Sequence, residues 1–195
     1  MKDIILNTLN ESIAVKDASI RKNTDALIRV ATMMAECLTS GHKILIFGNG
    51  GSAADAQHIA AEFVNRFQIE RPPLAALALT TDSSILTSIG NDYHFDEIFY
   101  KQVAALGNPG DMAWGISTSG NSKNVVKALT CAKEKRLITL GMCGKGGLIS
   151  EIADLLLTVD SPVTARIQET HITMGHILCD LTDRILFPDK FAKLP

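Results

Sequence analysis

Aromatic residues are scarce in this chain of 195 residues, which holds one Trp, two Tyr and seven Phe. Its core must therefore come from Ala, Ile, Leu and Val, and an aromatic-rich surface is not expected. An excess of one charge is missing as well. The 19 Lys and Arg against 21 Asp and Glu leave a net −2 with no basic block, so neither nucleic acid nor an acidic membrane surface is expected as a partner. Apolar runs such as Leu74 to Leu79 are strand-sized, far short of the ~20 residues that cross a bilayer. Lys2, Asp3, Glu11 and Lys16 punctuate the first twenty residues, which argues against a secretory signal. Cys37, Cys131, Cys143 and Cys179 lack CxxC spacing or any metal-site pattern, and read as reduced, buried thiols of a cytoplasmic protein.

What is present is a regular alternation. Residues 4–39 read as one long helix or two shorter ones, with Leu6, Leu9 and Ile13 at helical spacing and Gly41 as the stop. Five strands are predicted at Lys43–Phe47, Leu74–Leu79, Met112–Ser117, Leu137–Met142 and Leu155–Val159. Helices are predicted between them near 52–67, 84–106, 121–135 and 147–152. Continuous apolar strands separated by helices imply a parallel sheet covered on both faces. No linker or repeat divides the chain, so residues 1–195 are expected to form one α/β domain. The closing helix, about Val163 to Leu186, carries a stripe of Ile167, His171, Met174, Leu178, Leu181 and Ile185. Gln168 and His176 lie off that stripe. Both terminal helices look like elements that join subunits, with a purely internal seam as the alternative.

Two loops carry the chemistry. Ser117-Thr118-Ser119-Gly120-Asn121-Ser122 joins a predicted strand to a predicted helix. Unpaired N–H groups at a helix start, together with the helix dipole, favour an anion, and the hydroxyls add neutral donors. No Lys follows in the pattern of a nucleoside triphosphate loop, so a phosphate monoester such as a sugar phosphate is the better guess. The earlier loop, Gly48-Asn49-Gly50-Gly51-Ser52-Ala53, also follows a strand and fits the dinucleotide fingerprint G-x-G-x-x-A. That fingerprint expects an acidic residue about 20 residues on, whereas Asp82 comes over thirty residues after Gly48, and it leaves the Ser117 loop unexplained.

Just beyond the first loop, His58 and Glu62 stand at i and i+4 on one helix face and could bind a metal or move protons. The same spacing is also common on solvated helices. Arg66, four residues further, either pairs with Glu62 or faces an anionic substrate. Gln168 and His176 are eight residues apart, ~12 Å along a helix axis, which strains any proposal that they share one ion. His171 falls in the apolar stripe and reads as a core or interface histidine.

The ordered motifs Gly-Asn-Gly-Gly-Ser, His58-x-x-x-Glu62, Asn91-Asp92, Ser-Thr-Ser-Gly-Asn-Ser and Arg166-Ile-Gln-Glu-x-His resemble the sugar isomerase (SIS) family, on its phosphoheptose isomerase branch. The resemblance spans nearly the whole chain. It implies a three-layer α/β/α fold with a five-stranded parallel sheet, and a homotetramer with sites at subunit interfaces. It implies conversion of D-sedoheptulose 7-phosphate to D-glycero-D-manno-heptose 7-phosphate through an enediol, early in the making of surface heptoses. By motif, Ser117, Thr118, Ser119 and Ser122 would hold the phosphate. Asn49, Gly50, Gly51, Ser52, Asn91, Asp92 and Gln168 would contact the sugar, with Glu62 and Arg66 also at the substrate. Zn2+ would fall on His58, Glu62, Gln168 and His176, while Glu62 and His176 would carry out catalysis. A similar protein that binds the DnaA replication initiator without catalysis is the rival. It lacks the acidic and histidine pair that this chain keeps. A sugar-phosphate-sensing domain would come fused to a DNA-binding module, which this chain does not show.

Overall fold

The computed structural model describes residues 1–192. Helix α1 (Lys2–Thr39) precedes β1 (Ile44–Gly48), α2 (Gly51–Val64), β2 (Ala76–Ala78), α3 (Ser83–Asp92) and α4 (Ile98–Leu106). Then come β3 (Met112–Ser117), α5 (Lys123–Glu134), β4 (Ile138–Cys143), α6 (Ile149–Ile152), β5 (Leu155–Thr158), α7 (Thr164–Leu186) and the short α8 (Pro188–Phe191). The five strands are parallel, in the order β2-β1-β3-β4-β5. This is the expected three-layer α/β/α arrangement.

Strand alternation divides the core in two. Ile44, Ile46, Met112, Trp114 and Ile116 face a cluster completed by α1, α2 and α7. Leu45, Phe47 and Ala113 face the opposite cluster, built with α3, α4, α5 and α6. Right-handed crossovers account for this division. The step from β1 to β2 runs one way along the sheet and the later steps run the other, so α2 lands on a different face from α3 to α6. The reversal sits between β1 and β3, where ligands of open parallel sheets bind beyond the carboxyl ends of the strands.

Several boundaries differ from expectation, each for a local reason. The first segment is a single helix of 38 residues. The region 84–106 is broken rather than continuous. Gly90, Asn91 and Asp92 are weak helix formers, α3 stops at Asp92, and His94 then caps a short 3-10 turn by accepting from the Asp96 N–H at 3.1 Å. Strand β2 keeps only three of six predicted residues, being an edge strand that follows Pro72 and Pro73. In α7, Ile167, His171, Met174 and Leu178 are buried, but Leu181 is half-buried and Ile185 is exposed, so the stripe is a seam only over its first three turns.

Candidate active site

The two loops meet because β1 and β3 are neighbours in register, with Gly48 opposite Ile116. In the second loop the Ser117 hydroxyl lies 2.8 Å from that of Ser122 and 3.3 Å from that of Ser119. Gly120 turns the chain with φ +69, a left-handed conformation that a side chain rarely adopts. The Asn121 amide oxygen accepts from the Leu148 N–H at 2.9 Å, tying this loop to the one after β4. Ser122 stands at the N-cap of α5 yet makes no capping bond, and Gly50, at the N-cap of α2, has no side chain to cap with. Two uncapped helix starts therefore stand beside the same two loops, an arrangement with the chemistry to hold an anion.

Asn124 is a member of this site that sequence reasoning missed. Its side chain and that of Asn49 exchange both hydrogen bonds, at 2.9 and 2.8 Å, joining the two loops. The Asn49 amide is thus engaged at both polar atoms, and its reach toward a ligand lies in its backbone. An amide in the first turn of α5 gave no signal in the sequence, because its partner lies 75 residues away.

Gln168 packs on the first loop. A Cβ placed on Gly51 would lie 2.5 Å from the Gln168 amide nitrogen, so a side chain there would displace the end of Gln168 from the loop. Gly51 is seven residues before His58 on α2, ~10 Å along the axis. The strain foreseen for a shared ion is therefore present within one chain. Ser52 is buried at the start of α2. Asn91 and Asp92 are exposed at the end of α3, bonded to each other at 2.8 Å. Arg66 pairs with Glu70 at 2.8 Å rather than with Glu62.

The acid–base cluster assembles from α2 and α7. His58 Nε2 lies 3.1 Å from Glu62 Oε1 and 3.4 Å from His176 Nε2. Phe67 stacks on the His176 ring at 5.3 Å, fixing its plane. Burial, aided by the neighbouring His58, pulls the His176 pKa below its ordinary value, while Glu62 opposes the shift. A neutral imidazole beside a carboxylate can accept and return protons near neutral pH. One turn before His58, Asp55 is half-buried with one carboxylate oxygen unpartnered, and burial pushes its pKa up. His171 is fully buried and gives Nε2 to the Cys143 carbonyl at 3.2 Å, as a core histidine.

The donor set suits a divalent ion. One ligand atom from each of His58, Glu62 and His176 lies within 4.8 Å of the others, and two imidazoles with one carboxylate match the ligand preferences of zinc with an open position. Among the described residues, no helix is long and apolar enough to cross a membrane.

Comparison with known proteins gives the family. The SIS domain family model matches residues 9–144. The phosphoheptose isomerase of Nitratidesulfovibrio vulgaris strain Hildenborough is 55% identical over 193 residues, covering 98% of this chain and 93% of that protein. The phosphoheptose isomerase of Aneurinibacillus thermoaerophilus is 50% identical over the full length of both. Among solved structures, a phosphoheptose isomerase from Neisseria gonorrhoeae superposes with a TM-score of 0.89 at 46% identity, covering 93% of this chain and 98% of that one. None of these carries the name of an initiator-binding protein. Loop chemistry, helix-borne cluster and full-length likeness converge: the chain is an enzyme of the SIS domain family and belongs with its phosphoheptose isomerases.

Proposed function

We propose that the protein interconverts D-sedoheptulose 7-phosphate and D-glycero-D-manno-heptose 7-phosphate, an aldose–ketose isomerisation early in surface heptose synthesis. The observation that carries the reading is the meeting of Glu62, His58 and His176 on two packed helices, in a chain whose phosphate-type loops sit at the carboxyl ends of β1 and β3.

The phosphate rests against the hydroxyls of Ser117, Thr118, Ser119 and Ser122 and the start of α5. The sugar runs along the first loop, met by backbone N–H groups of Asn49, Gly50 and Gly51, by Ser52 and by Gln168. Asn91, Asp92 and Arg66 approach its open side. With the phosphate anchored, C1 and C2 are fixed against the cluster, so remote binding supplies orientation. Glu62 takes a proton from C1 while the neutral His176 takes the proton of the C1 oxygen and delivers it to the C2 oxygen, by way of the enediol. Glu62 then returns its proton to C2, leaving the carbonyl at C1. No atom is gained or lost, and each of the two groups ends as it began.

His58, Glu62 and His176 are the residues that would hold Zn2+, whose contribution is to polarise the carbonyl and stabilise charge on the sugar oxygens. Gln168 completes that ligand set only across a subunit boundary, since within one chain it serves the loop at Gly51. Coordination lowers the basicity of a carboxylate, so the two duties of Glu62 compete. A homotetramer with interface sites fits the first half of α1, where Ile4, Ile5, Leu6, Leu9 and Ile13 are all exposed in the single chain. Four free, buried thiols fit a reducing cytoplasm.

Replacing Glu62 with Gln tests the assignment. The ketose substrate should still bind, while aldose formation falls by at least ~10²-fold. Near-normal turnover would remove Glu62 as the base. Metal analysis of the same variant separates its two duties: zinc retained with turnover lost assigns proton transfer, and joint loss assigns coordination.

A further inference from the structure

Sequence reading gave Arg71 no role, since it sits in the irregular segment after α2 beside two prolines and looks like any surface charge. The structure buries it. Its side chain is 1% exposed and that of its partner Asp183, on α7, is 2% exposed. Arg71 Nε donates to Asp183 Oδ1 at 2.9 Å. Nη2 donates to the Glu62 carbonyl at 2.8 Å, and Nη1 donates to the carbonyl of Phe63 at 2.6 Å and to those of Asn65 and Pro72, each at 3.2 Å. Five bonds thus leave one planar cation, and three of them end on carbonyls of the last turn and cap of α2.

The last four carbonyls of a helix lack intrahelical partners and carry the negative end of its dipole, so a buried guanidinium is matched to them in geometry and in sign. The position matters more than the energy. Glu62 supplies its side chain to the acid–base cluster and its own carbonyl to Arg71. Asp183 lies seven residues beyond His176, two turns along nearly the same face of α7. The guanidinium therefore joins the turn that carries Glu62 to the helix that carries His176, just beyond the point where Ile59 closes on Gly175.

We propose that Arg71 and Asp183 are positioning residues of the isomerase: a buried clamp that sets the register of α2 against α7 and so holds Glu62 and His58 at working distance from His176. The proposal rests on the reading of that cluster as the reaction centre. A salt bridge buried this deeply is a weak source of stability compared with an apolar pair of the same volume, which makes a geometric role the better account of its presence.

Asp183→Asn keeps the side-chain volume and an acceptor for Arg71 Nε, and removes the charge that balances the guanidinium. Turnover should fall ~10- to 100-fold from misplacement of the cluster. KM for the sugar phosphate should stay within about twofold, because the phosphate loops are carried by β1 and β3. Zinc titrated alone into metal-stripped protein should bind ~10-fold more weakly. Arg71→Lys, which keeps charge and loses the fork, should behave alike. Lys43→Met is the control. It breaks the ion pair with Asp111 at the opposite end of the sheet, and should lower the melting temperature while leaving turnover per folded molecule and zinc affinity unchanged. If Asp183→Asn and Arg71→Lys lose only stability, as the control does, the clamp is purely structural and the proposal fails. Failure of both to fold overturns it equally. The zinc titration separates this outcome from an error about Glu62 as base, since it reads the cluster geometry without any turnover.

Discussion

Replacing Gly175 by Ala sets two known effects against each other beside His176. Ala is favoured over Gly inside a helix by ~1 kcal/mol, which alone would stabilise α7. Against this, a Cβ at Gly175 would stand 2.8 Å from Ile59 Cδ1 and 3.1 Å from Cγ1, where ordinary contact begins at 3.4 Å. Ile59 is fully buried in the cluster beneath α2, so its tip has nowhere to retreat. Overpacking of this kind costs ~1–3 kcal/mol, so the net result should be a loss of ~0–2 kcal/mol. In a chain of this size that lowers the melting temperature by at most ~8 °C at fixed protein concentration.

The functional effect should exceed the thermal one. If the helices part by the ~0.6 Å shortfall, His176 moves away from His58 and Glu62 by a similar amount, and a displacement of ~1 Å can cost ~10²-fold in rate. Turnover should therefore fall severalfold with KM little changed. Ile59→Val removes Cδ1, the closest clashing atom, and alone costs ~0.5–1.5 kcal/mol. Combined with Gly175→Ala it should recover part of both losses, with a coupling of at least ~0.5 kcal/mol in a double-mutant cycle read from denaturant midpoints. A Gly175→Ala variant that gains the full helix-propensity benefit and keeps its turnover, or strict additivity in the cycle, would refute the claim that this close approach sets the site.

Gly120→Ala demands φ +69 of a residue with a side chain and places the new Cβ on the Gly146 carbonyl oxygen, so the phosphate loop must move. Steady-state kinetics should show kcat/KM lower by at least ~10², mostly through KM, and inhibition by inorganic phosphate should weaken in step. Asn124→Ala leaves both polar atoms of the Asn49 amide without their partner and should cost ~1–3 kcal/mol by denaturant melt, with a further loss of kcat/KM as the loops uncouple. Burial holds the His171 pKa at about 4 against an ordinary 6.5. The unfolded chain therefore binds the extra proton first, and stability should fall as pH drops from 6.5 toward 4 by up to ~1.4 kcal/mol per pH unit from this residue. His171→Gln should flatten that slope, and an unchanged slope would show that other groups cause it.

How much of this was legible in the sequence depended on how local each signal was. Met112–Ser117 was read residue for residue and β1 within one, because continuous apolar runs between turns leave few alternatives. The 84–106 segment was misread as continuous because its apolar spacing carries on through Tyr93, and the cap supplied by His94 is invisible to periodicity. His58 and Glu62 were found because i and i+4 share a face by helix geometry alone. His176 could be tied to them only by resemblance, since its partners lie 118 and 114 residues upstream and meet it through packing. Arg66 was offered Glu62 as partner by the same spacing rule, yet chose Glu70 in the other direction. Asn124 and Arg71 left no trace, because what makes them matter is where α5 begins and where α2 ends in space.

The site divides its labour between backbone and side chains, and the division follows from the reaction. Both sugars in an isomerisation carry the same phosphate, so beyond fixing the orientation of C1 and C2, binding that group more tightly stabilises substrate, transition state and product alike and does not raise kcat. Neither loop contains a Lys or Arg, so in the proposed reading their hydroxyls and helix starts form a neutral anchor for the phosphate. Rate must then come from groups whose interactions change along the path, and those proposed for it stand on α2 and α7, where a shift of one helix against the other would separate them. A neutral anchor on a rigid sheet consequently leaves the demand for precision to the helix pair. The close contact of Ile59 with Gly175 and the guanidinium at the end of α2 are the two features that meet that demand.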